Sequence, residues 1–426
     1  MGMTNTTKTP TENIQLTTLP NGLRIVSETV THVQSVSIGL WVGIGSRDED
    51  DAIRGISHFI EHMLFKGTPT RAARQIADEI ESRGGHLNAF TGKETTCYEA
   101  RVLSEHLPLA FDVLTDMFRN SLFDPEEMER EKRVVIEEIK MYEDTPEESV
   151  HDIFEQVLWP AHTLGQPIIG SEKTVSALTR SNITDYIGSR YRPDRIVISA
   201  AGLLDHDELV KMAERALGSL EGVAQKPELT RPIVSGKSKQ IKKRDVEQVH
   251  FCYGTAAFSK HEKERYTLSI LNNVLGGNMS SRLFQEIREK RGLAYAIGSY
   301  ARAYQDGGFF CAYGGTSPET YQQVTELTRA EFTNVLEKGL TEDELNKAKT
   351  QVRGALVMGL ESMSSRMNRY GESLLSFGRV IPIAEVLSEY ESVTHEKINA
   401  VAQTVLGSKN MTLTAIGAFP RVAKAA

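Results

Sequence analysis

The sequence predicts an α+β fold made of two similar, duplicated domains, each a mixed or antiparallel sheet covered by helices. Length is the first reason: 426 residues exceed one ordinary domain and suit two of roughly 200. The second is a change of composition between Glu221 and Asp245, where Pro, Gly, Ser and Lys replace any amphipathic period. The third is a shared order of strand, helices, hairpin and long helices on both sides of that break, although identity between the halves is faint. The division expected is a polar tail over 1–13, a first domain over 14–220, a linker over 221–245 and a second domain over 246–426.

Past the tail, Ile14 to Glu28 reads as two short strands around a turn at Pro20-Asn21-Gly22. Between Val33 and Ile44, Val36, Ile38, Leu40 and Val42 alternate onto one face of a strand. Helices are expected over 54–66 and 71–83, separated by the breaker Gly67-Thr68-Pro69, with Gly84-Gly85 closing the second. Strands follow around His86–Thr91 and Thr95–Leu103, then helices near 104–119 and 125–142. Asp124-Pro125 supplies the last of these with a cap and a proline at its first helical position. Two more helices run to about 219, interrupted by a strand at Ile196–Ala201. The second half restarts with a strand at Gln248–Thr255 and helices at Lys263–Leu275 and Ser280–Arg291. Strands at Ala294–Tyr304 and Gly307–Thr316 and long helices near 319–338 and 342–377 complete it.

Composition excludes several classes of protein. Hydrophobic content of 40% and charged content of 25% are those of a soluble globular chain. Cys97, Cys252 and Cys311 are far apart and form no C-x-x-C pair, which argues against a disulfide framework and fits a reducing compartment. Each lies in a strand-like stretch, where a buried cysteine acts as a small hydrophobe. The net charge of −8 comes with no basic stripe dense enough to grip nucleic acid, and Lys237 to Arg244 reads as a solvated linker. The opening MGMTNTTKTPTENI has neither the apolar core of a signal peptide nor the arginine-rich character of a transit peptide. No segment reaches the ~18 apolar residues that span a bilayer. A cytoplasmic protein without membrane or nucleic-acid partners is expected.

The chemistry is concentrated in His58-Phe59-Ile60-Glu61-His62. On a helix each residue advances about 100°, so His58 and His62 lie roughly 40° apart on one face, one turn removed. That spacing lets two imidazoles bind one metal ion, and imidazole pairs suit zinc better than magnesium or calcium. Glu61 falls on the same side, where a carboxylate can take a proton from water activated at the ion. Two surface histidines on an amphipathic helix would give the same pattern. However, Phe59, Ile60, Met63, Leu64 and Phe65 point to a largely buried setting in which these polar groups need partners.

A third protein ligand is required, and the helix after Asp124-Pro125 offers Glu126, Glu127, Glu129, Glu131, Glu137 and Glu138. With Glu138 at zero, Met128, Val135 and Ile139 form an apolar stripe at about 60–100°. Glu131 and Glu138 lie about 20° apart at its border, while Glu137 points about 100° the other way. Projection therefore leaves Glu138 or Glu131 as the ligand, with the other supporting it.

H-x-x-E-H is the reversed order that marks inverzincins. The stretch GISHFIEHMLFKGT, followed by EREKRVVIEEIKMYEDTP from Glu129, resembles the pitrilysin-type zinc metallopeptidases. That family includes insulin-degrading enzyme and the mitochondrial processing peptidase, and the resemblance runs from Leu19-Pro20-Asn21-Gly22-Leu23 to the last helices. It implies His58, His62 and Glu138 as zinc ligands, one ion per chain, Glu61 as general base and Glu131 as the supporting glutamate. His86-Leu87-Asn88-Ala89-Phe90-Thr91 is similar to the family's edge strand, to which substrate adds as an extended strand. Asn88 would then contact the scissile region, and Ala89 and Phe90 would pair with substrate backbone.

Ile287 to Tyr295 resembles the family segment that supplies an arginine and, seven residues on, a tyrosine. By that resemblance Arg288 and Tyr295 would bind the substrate carbonyl and stabilise the developing oxyanion. Gly276-Gly277-Asn278 is similar to the family's glycine-rich loop, and no G-K-[ST] follows to support phosphate binding. The resemblance further implies that the chain is half of a clam-shell chamber. A second chain would complete it, a copy of itself being the simpler expectation and a related subunit the other. Hydrolysis of peptides or unfolded segments is the activity implied, against a non-catalytic structural or partner subunit.

Overall fold

The computed structural model describes residues 12–223, 229–242 and 246–419. Most of the tail expected over 1–13, and residues 224–228 and 243–245 of the expected linker, lie outside the described residues.

The chain forms two compact units that are not its two sequence halves. One gathers Met1–Ile139, Pro167–Pro227 and Leu356–Val386; the other gathers Lys140–Gln166, Glu228–Ala355 and Leu387–Ala426. In chain order the strands are β1 (Ile14–Thr18), β2 (Arg24–Thr29), β3 (Ser35–Val42), β4 (His86–Thr91), β5 (Thr96–Leu103) and β6 (Ile196–Gly202), then β7 (Lys239–Lys242), β8 (Val249–Ala257), β9 (Ala294–Ala303), β10 (Gly308–Thr316) and β11 (Thr412–Gly417).

The first unit holds a mixed sheet in the order β1-β2-β6-β3-β5-β4. β2 and β6 run parallel, and the neighbouring pairs are antiparallel. Alternation sorts its side chains as the sequence predicts. Val36, Ile38, Leu40 and Val42 join Tyr98, Ala100, Ile196 and Ile198 in one core with Phe59, Ile60, Met63, Val113 and Leu114 of the helices. The opposite face carries Val26, Trp41, Cys97 and Val197, and is covered by Met363, Met367, Tyr370 and Leu374 of the helix Met363–Phe377. Gly371 admits the Trp41 ring, since a Cβ there would lie 2.4 Å from the indole Nε1.

The second unit repeats the plan with the order β7-β11-β8-β10-β9. Val249, Phe251, Phe310 and Ala312 pack against the helices Glu264–Leu275 and His395–Val405. Cys252, Phe309, Cys311 and Ile416 face Val150, Phe154 and Leu158 of the helix Pro146–Leu158. Each sheet is therefore backed by a helix from the opposite half of the sequence. All three cysteines are free and buried in strands.

Several elements differ from expectation. Between 142 and 219 there are four helices, Pro146–Leu158, Glu172–Ala177, Arg180–Arg190 and His206–Leu217, where two were expected. Ser171 and Thr179 cap the two short middle ones. The helix expected over 342–377 is two, Glu342–Gly359 and Met363–Phe377, because Ser362 accepts from the Ser365 N–H and starts a new helix. Ser280–Arg291 contains a π-helix at Phe284–Glu289, closed by the Lys290 N–H to the Gln285 carbonyl at 3.0 Å. Inside the expected linker, β7 runs parallel to β11 at the sheet edge, with no alternation in Lys-Gln-Ile-Lys to announce it. No described helix is long and apolar enough to cross a membrane.

Candidate active site

The helix Ile56–Leu64 buries Ile56, Phe59, Ile60, Met63 and Leu64, which leaves His58, Glu61 and His62 on its other side. Its start is unusual. Gly55 sits at φ 90°, in the left-handed region, and a Cβ there would come within 2.6 Å of the Ile169 carbonyl. Gly55 has no side chain to cap the helix, so Glu49 does so from outside. Its carboxylate accepts from the N–H groups of Gly55 at 2.7 Å and Ser57 at 2.8 Å. Burial pushes the Glu49 carboxyl up to about 7, against the pull of those hydrogen bonds. The helix Pro125–Asp144 brings the second element. Met128, Val135 and Ile139 are buried, Glu137 is exposed, and Glu138 and Glu131 flank the apolar stripe.

The two helices bring His58, His62 and Glu138 together, with one donor atom of each within 4.8 Å of the others. His58 Nε2 lies 3.8 Å from Glu138 Oε1, and His62 Nε2 lies 3.7 Å from Glu138 Oε2. These separations are too long for hydrogen bonds. They approach the roughly 3.4 Å expected between neighbouring ligands of a tetrahedral ion with bonds of about 2.0–2.1 Å. Among the described residues this is the one cluster of histidine, cysteine and carboxylate donors able to hold a metal ion. The donor set fits zinc on chemistry as well as spacing. Burial, with His62 beside it, holds the His58 imidazole down to about 4, in the neutral form a metal ligand needs.

Glu131 is 5% exposed and accepts from His62 Nδ1 at 2.8 Å, which turns His62 Nε2 toward Glu138. Burial opposes the charge on His62, but the hydrogen bond to Glu131 and the nearby carboxylates outweigh it and raise the imidazole. Burial raises Glu61 and Glu138 above the usual carboxylate range.

Asn88, Ala89 and Phe90 lie on β4, at the edge of the first sheet, with Asn88 exposed and the other two half-buried. Phe90 meets the Trp41 ring edge-on at 5.4 Å. Arg288 and Tyr295 belong to the second unit, where the guanidinium stands 4.7 Å from the Tyr295 ring centre and Tyr295 is 78% exposed. Two contacts escaped the sequence reading. Thr91, the last residue of β4, donates to Glu61 Oε2 at 2.6 Å. Lys66 reaches Glu131 Oε2 at 2.6 Å. Both stand inside the quoted segments, but hydroxyl and ammonium contacts between distant segments leave no periodic trace.

A pair of histidines and a distant glutamate on a duplicated α+β scaffold define a chain of the metallopeptidase class. Residues 24–172 match the family described as Insulinase (Peptidase family M16), and residues 177–352 match its companion, Peptidase M16 inactive domain. The uncharacterized zinc protease YmxG of Bacillus subtilis is 44% identical over 386 residues, 91% of this chain and 94% of its own. An uncharacterized zinc protease of Streptomyces coelicolor is 41% identical, across 95% of this chain and 89% of its own. The same fold occurs in a protease from Helicobacter pylori, with a TM-score of 0.89 at 20% identity over 95% of this chain and 100% of that one. A structure titled peptidase M16 inactive domain, from Pseudomonas fluorescens, also reaches 0.89, at 19% identity over 97% and 100%. The chain belongs to the M16 peptidase family, in its short two-domain form.

Proposed function

We propose that the chain is a zinc-dependent endopeptidase that hydrolyses peptides or unfolded segments, with one ion held by His58, His62 and Glu138. The observation that carries this reading is the convergence of those three donors from two helices beside Glu61, which shares its helix with the two histidines and has one oxygen fixed by Thr91. When bound, the ion would supply Lewis-acid polarisation of the peptide carbonyl and acidify water. Glu61 acts as general base, and its burial-raised carboxyl suits both taking a proton from water and returning it to the leaving amine. Thr91 occupies Oε2, which leaves Oε1 to carry that proton. Glu131 orients His62 through Nδ1.

The free side of β4 takes substrate as an added strand, Ala89 and Phe90 supplying main-chain pairing and Asn88 a side-chain contact. Arg288 and Tyr295 keep the substrate-binding and oxyanion-stabilising roles implied by the family resemblance. Two copies of the chain, or one copy and a related subunit, enclose the substrate.

The test is cleavage of an internally quenched peptide by the wild type and by Glu61→Gln, with zinc measured in both. Turnover is expected in the wild type and a loss of at least about 100-fold in the variant, with zinc retained. A fully zinc-loaded wild type that cleaves nothing would favour the other reading, a structural or partner subunit.

A further inference from the structure

The position of Lys66 bears on how the metal site is held. It follows the helix Ile56–Leu64 by two residues, and its Nζ lies 2.6 Å from Glu131 Oε2. The other oxygen of the same carboxylate, Oε1, takes His62 Nδ1 at 2.8 Å. Lys66, Glu131 and His62 thus form one continuous line, with each carboxylate oxygen committed to a different donor. Glu131 is buried, and a buried carboxylate is retained only where its charge is paired and its lone pairs are used. Among the described residues Lys66 is the one lysine or arginine within ion-pair distance of Glu131. The neighbouring Lys132 turns instead to Glu129 and the Ser176 carbonyl.

We infer that Lys66 is a positioning residue for the metal site: it fixes Glu131 so that His62 keeps its proton on Nδ1 and presents Nε2 to the ion. This inference rests on the reading of His58, His62 and Glu138 as zinc ligands. Without Lys66, Glu131 would be a buried charge satisfied at one oxygen only, and turning toward water would relieve it. His62 would then lose its Nδ1 acceptor, and with it both its ring orientation and its tautomer.

The direction of the effect distinguishes this role from plain electrostatics. Lys66 is a positive charge close to a divalent cation, so by Coulomb's law alone its removal should tighten zinc binding. Removing it should also leave the full charge of Glu131 to polarise His62, again tightening. Positioning predicts the opposite sign.

The measurement is the zinc dissociation constant of the full-length protein, by competition with a chromophoric chelator, for the wild type, Lys66→Met, Lys66→Arg, Glu131→Gln and the Lys66→Met/Glu131→Gln pair. Lys66→Met is expected to weaken zinc by roughly ten- to a hundredfold, the range for lost supporting contacts, and Lys66→Arg to restore most of it. In the Glu131→Gln background Lys66→Met should add less than about twofold, because Lys66 acts through Glu131. Unchanged or tighter binding in Lys66→Met, or full additivity in the pair, overturns the inference while leaving the metal site intact. A wild type with no measurable zinc affinity removes the metal-site reading and this inference together. Thermal unfolding of the metal-free proteins separates a fold defect from a site defect: Lys66→Met should lose some stability from leaving Glu131 unpaired but remain folded at the temperature of the zinc titration.

Discussion

The two units share a plan but not a chemistry. Each places a helix between a central strand and a hairpin: Ile56–Leu64 in the first, Glu264–Leu275 in the second. The first carries two half-buried histidines and a half-buried glutamate on the side away from its core. The second has no histidine and buries Leu268, Ile270, Leu271, Val274 and Leu275. The second unit has its own half-buried polar set on the opposite face of its sheet, where His151 Nδ1 lies 2.8 Å from the Tyr300 hydroxyl and 3.4 Å from Cys252 Sγ. That set satisfies itself by hydrogen bonding, whereas the donors of the first unit stand too far apart to bond and close enough to share an ion. The scaffold, then, is common property, and function depends on which few positions are left polar.

The largest effect is expected from damage to the core of the second unit. Phe309 is fully buried against Phe154 and Trp159. Phe309→Ala should cost the second unit about 3–5 kcal/mol in hydrogen-exchange stability. Zinc content should not change, and its loss would mean that the proposed metal site depends on more than the first unit.

A smaller effect is expected from pH, and it has opposite signs in the two units. Glu49 is held up to about 7, so the folded first unit keeps a proton that the unfolded chain releases above about 4.5. Its contribution is therefore greatest below about 4.5 and is lost as pH rises toward 7. Burial, with Arg302 and His250 nearby, holds His151 down to about 4, so the folded second unit refuses a proton that the unfolded chain takes up below about 6.5. That contribution is present at neutral pH and is lost as pH falls toward 4. Each is worth at most about 3 kcal/mol. Segment-resolved hydrogen exchange of Glu49→Gln and His151→Phe against the wild type should show the two dependences flattening separately.

The smallest effect is expected at the edge strand. Thr91→Val removes the one hydrogen bond seen on Glu61 and should lower kcat about tenfold, with KM and zinc content unchanged and Thr91→Ser restoring the rate. An unaltered kcat would mean that Glu61, in its proposed role as base, needs no anchor on β4.

Much of the site was legible because helical spacing is a local property. Residues 58, 61 and 62 needed only 100° per residue, and the apolar stripe of Met128, Val135 and Ile139 narrowed six glutamates to Glu131 and Glu138. The resemblance then ordered those two. The sheets were readable where apolar alternation was clean, as in β3, and unreadable in β7, whose partner β11 lies more than 150 residues away. Thr91 and Lys66 were missed for the same reason: their roles are contacts between segments, and nothing in their own neighbourhood encodes the partner. The exchange of the helices Pro146–Leu158 and Met363–Phe377 was hidden too, because an amphipathic helix shows that it has a buried face but not which sheet will bury it.

That exchange has a consequence for how the chain could be divided. Cut between residues 223 and 229, the first fragment would keep the donors His58, His62 and Glu138 but leave Val26, Trp41, Cys97 and Val197 uncovered, for want of Met363, Met367, Tyr370 and Leu374. The second fragment would leave Cys252, Phe309 and Cys311 equally bare without Val150, Phe154 and Leu158. Neither piece would be an autonomous folding module. Mixed together, they would behave as complementary fragments, each supplying the helix the other lacks, and folding would become a bimolecular reaction whose rate rises with concentration.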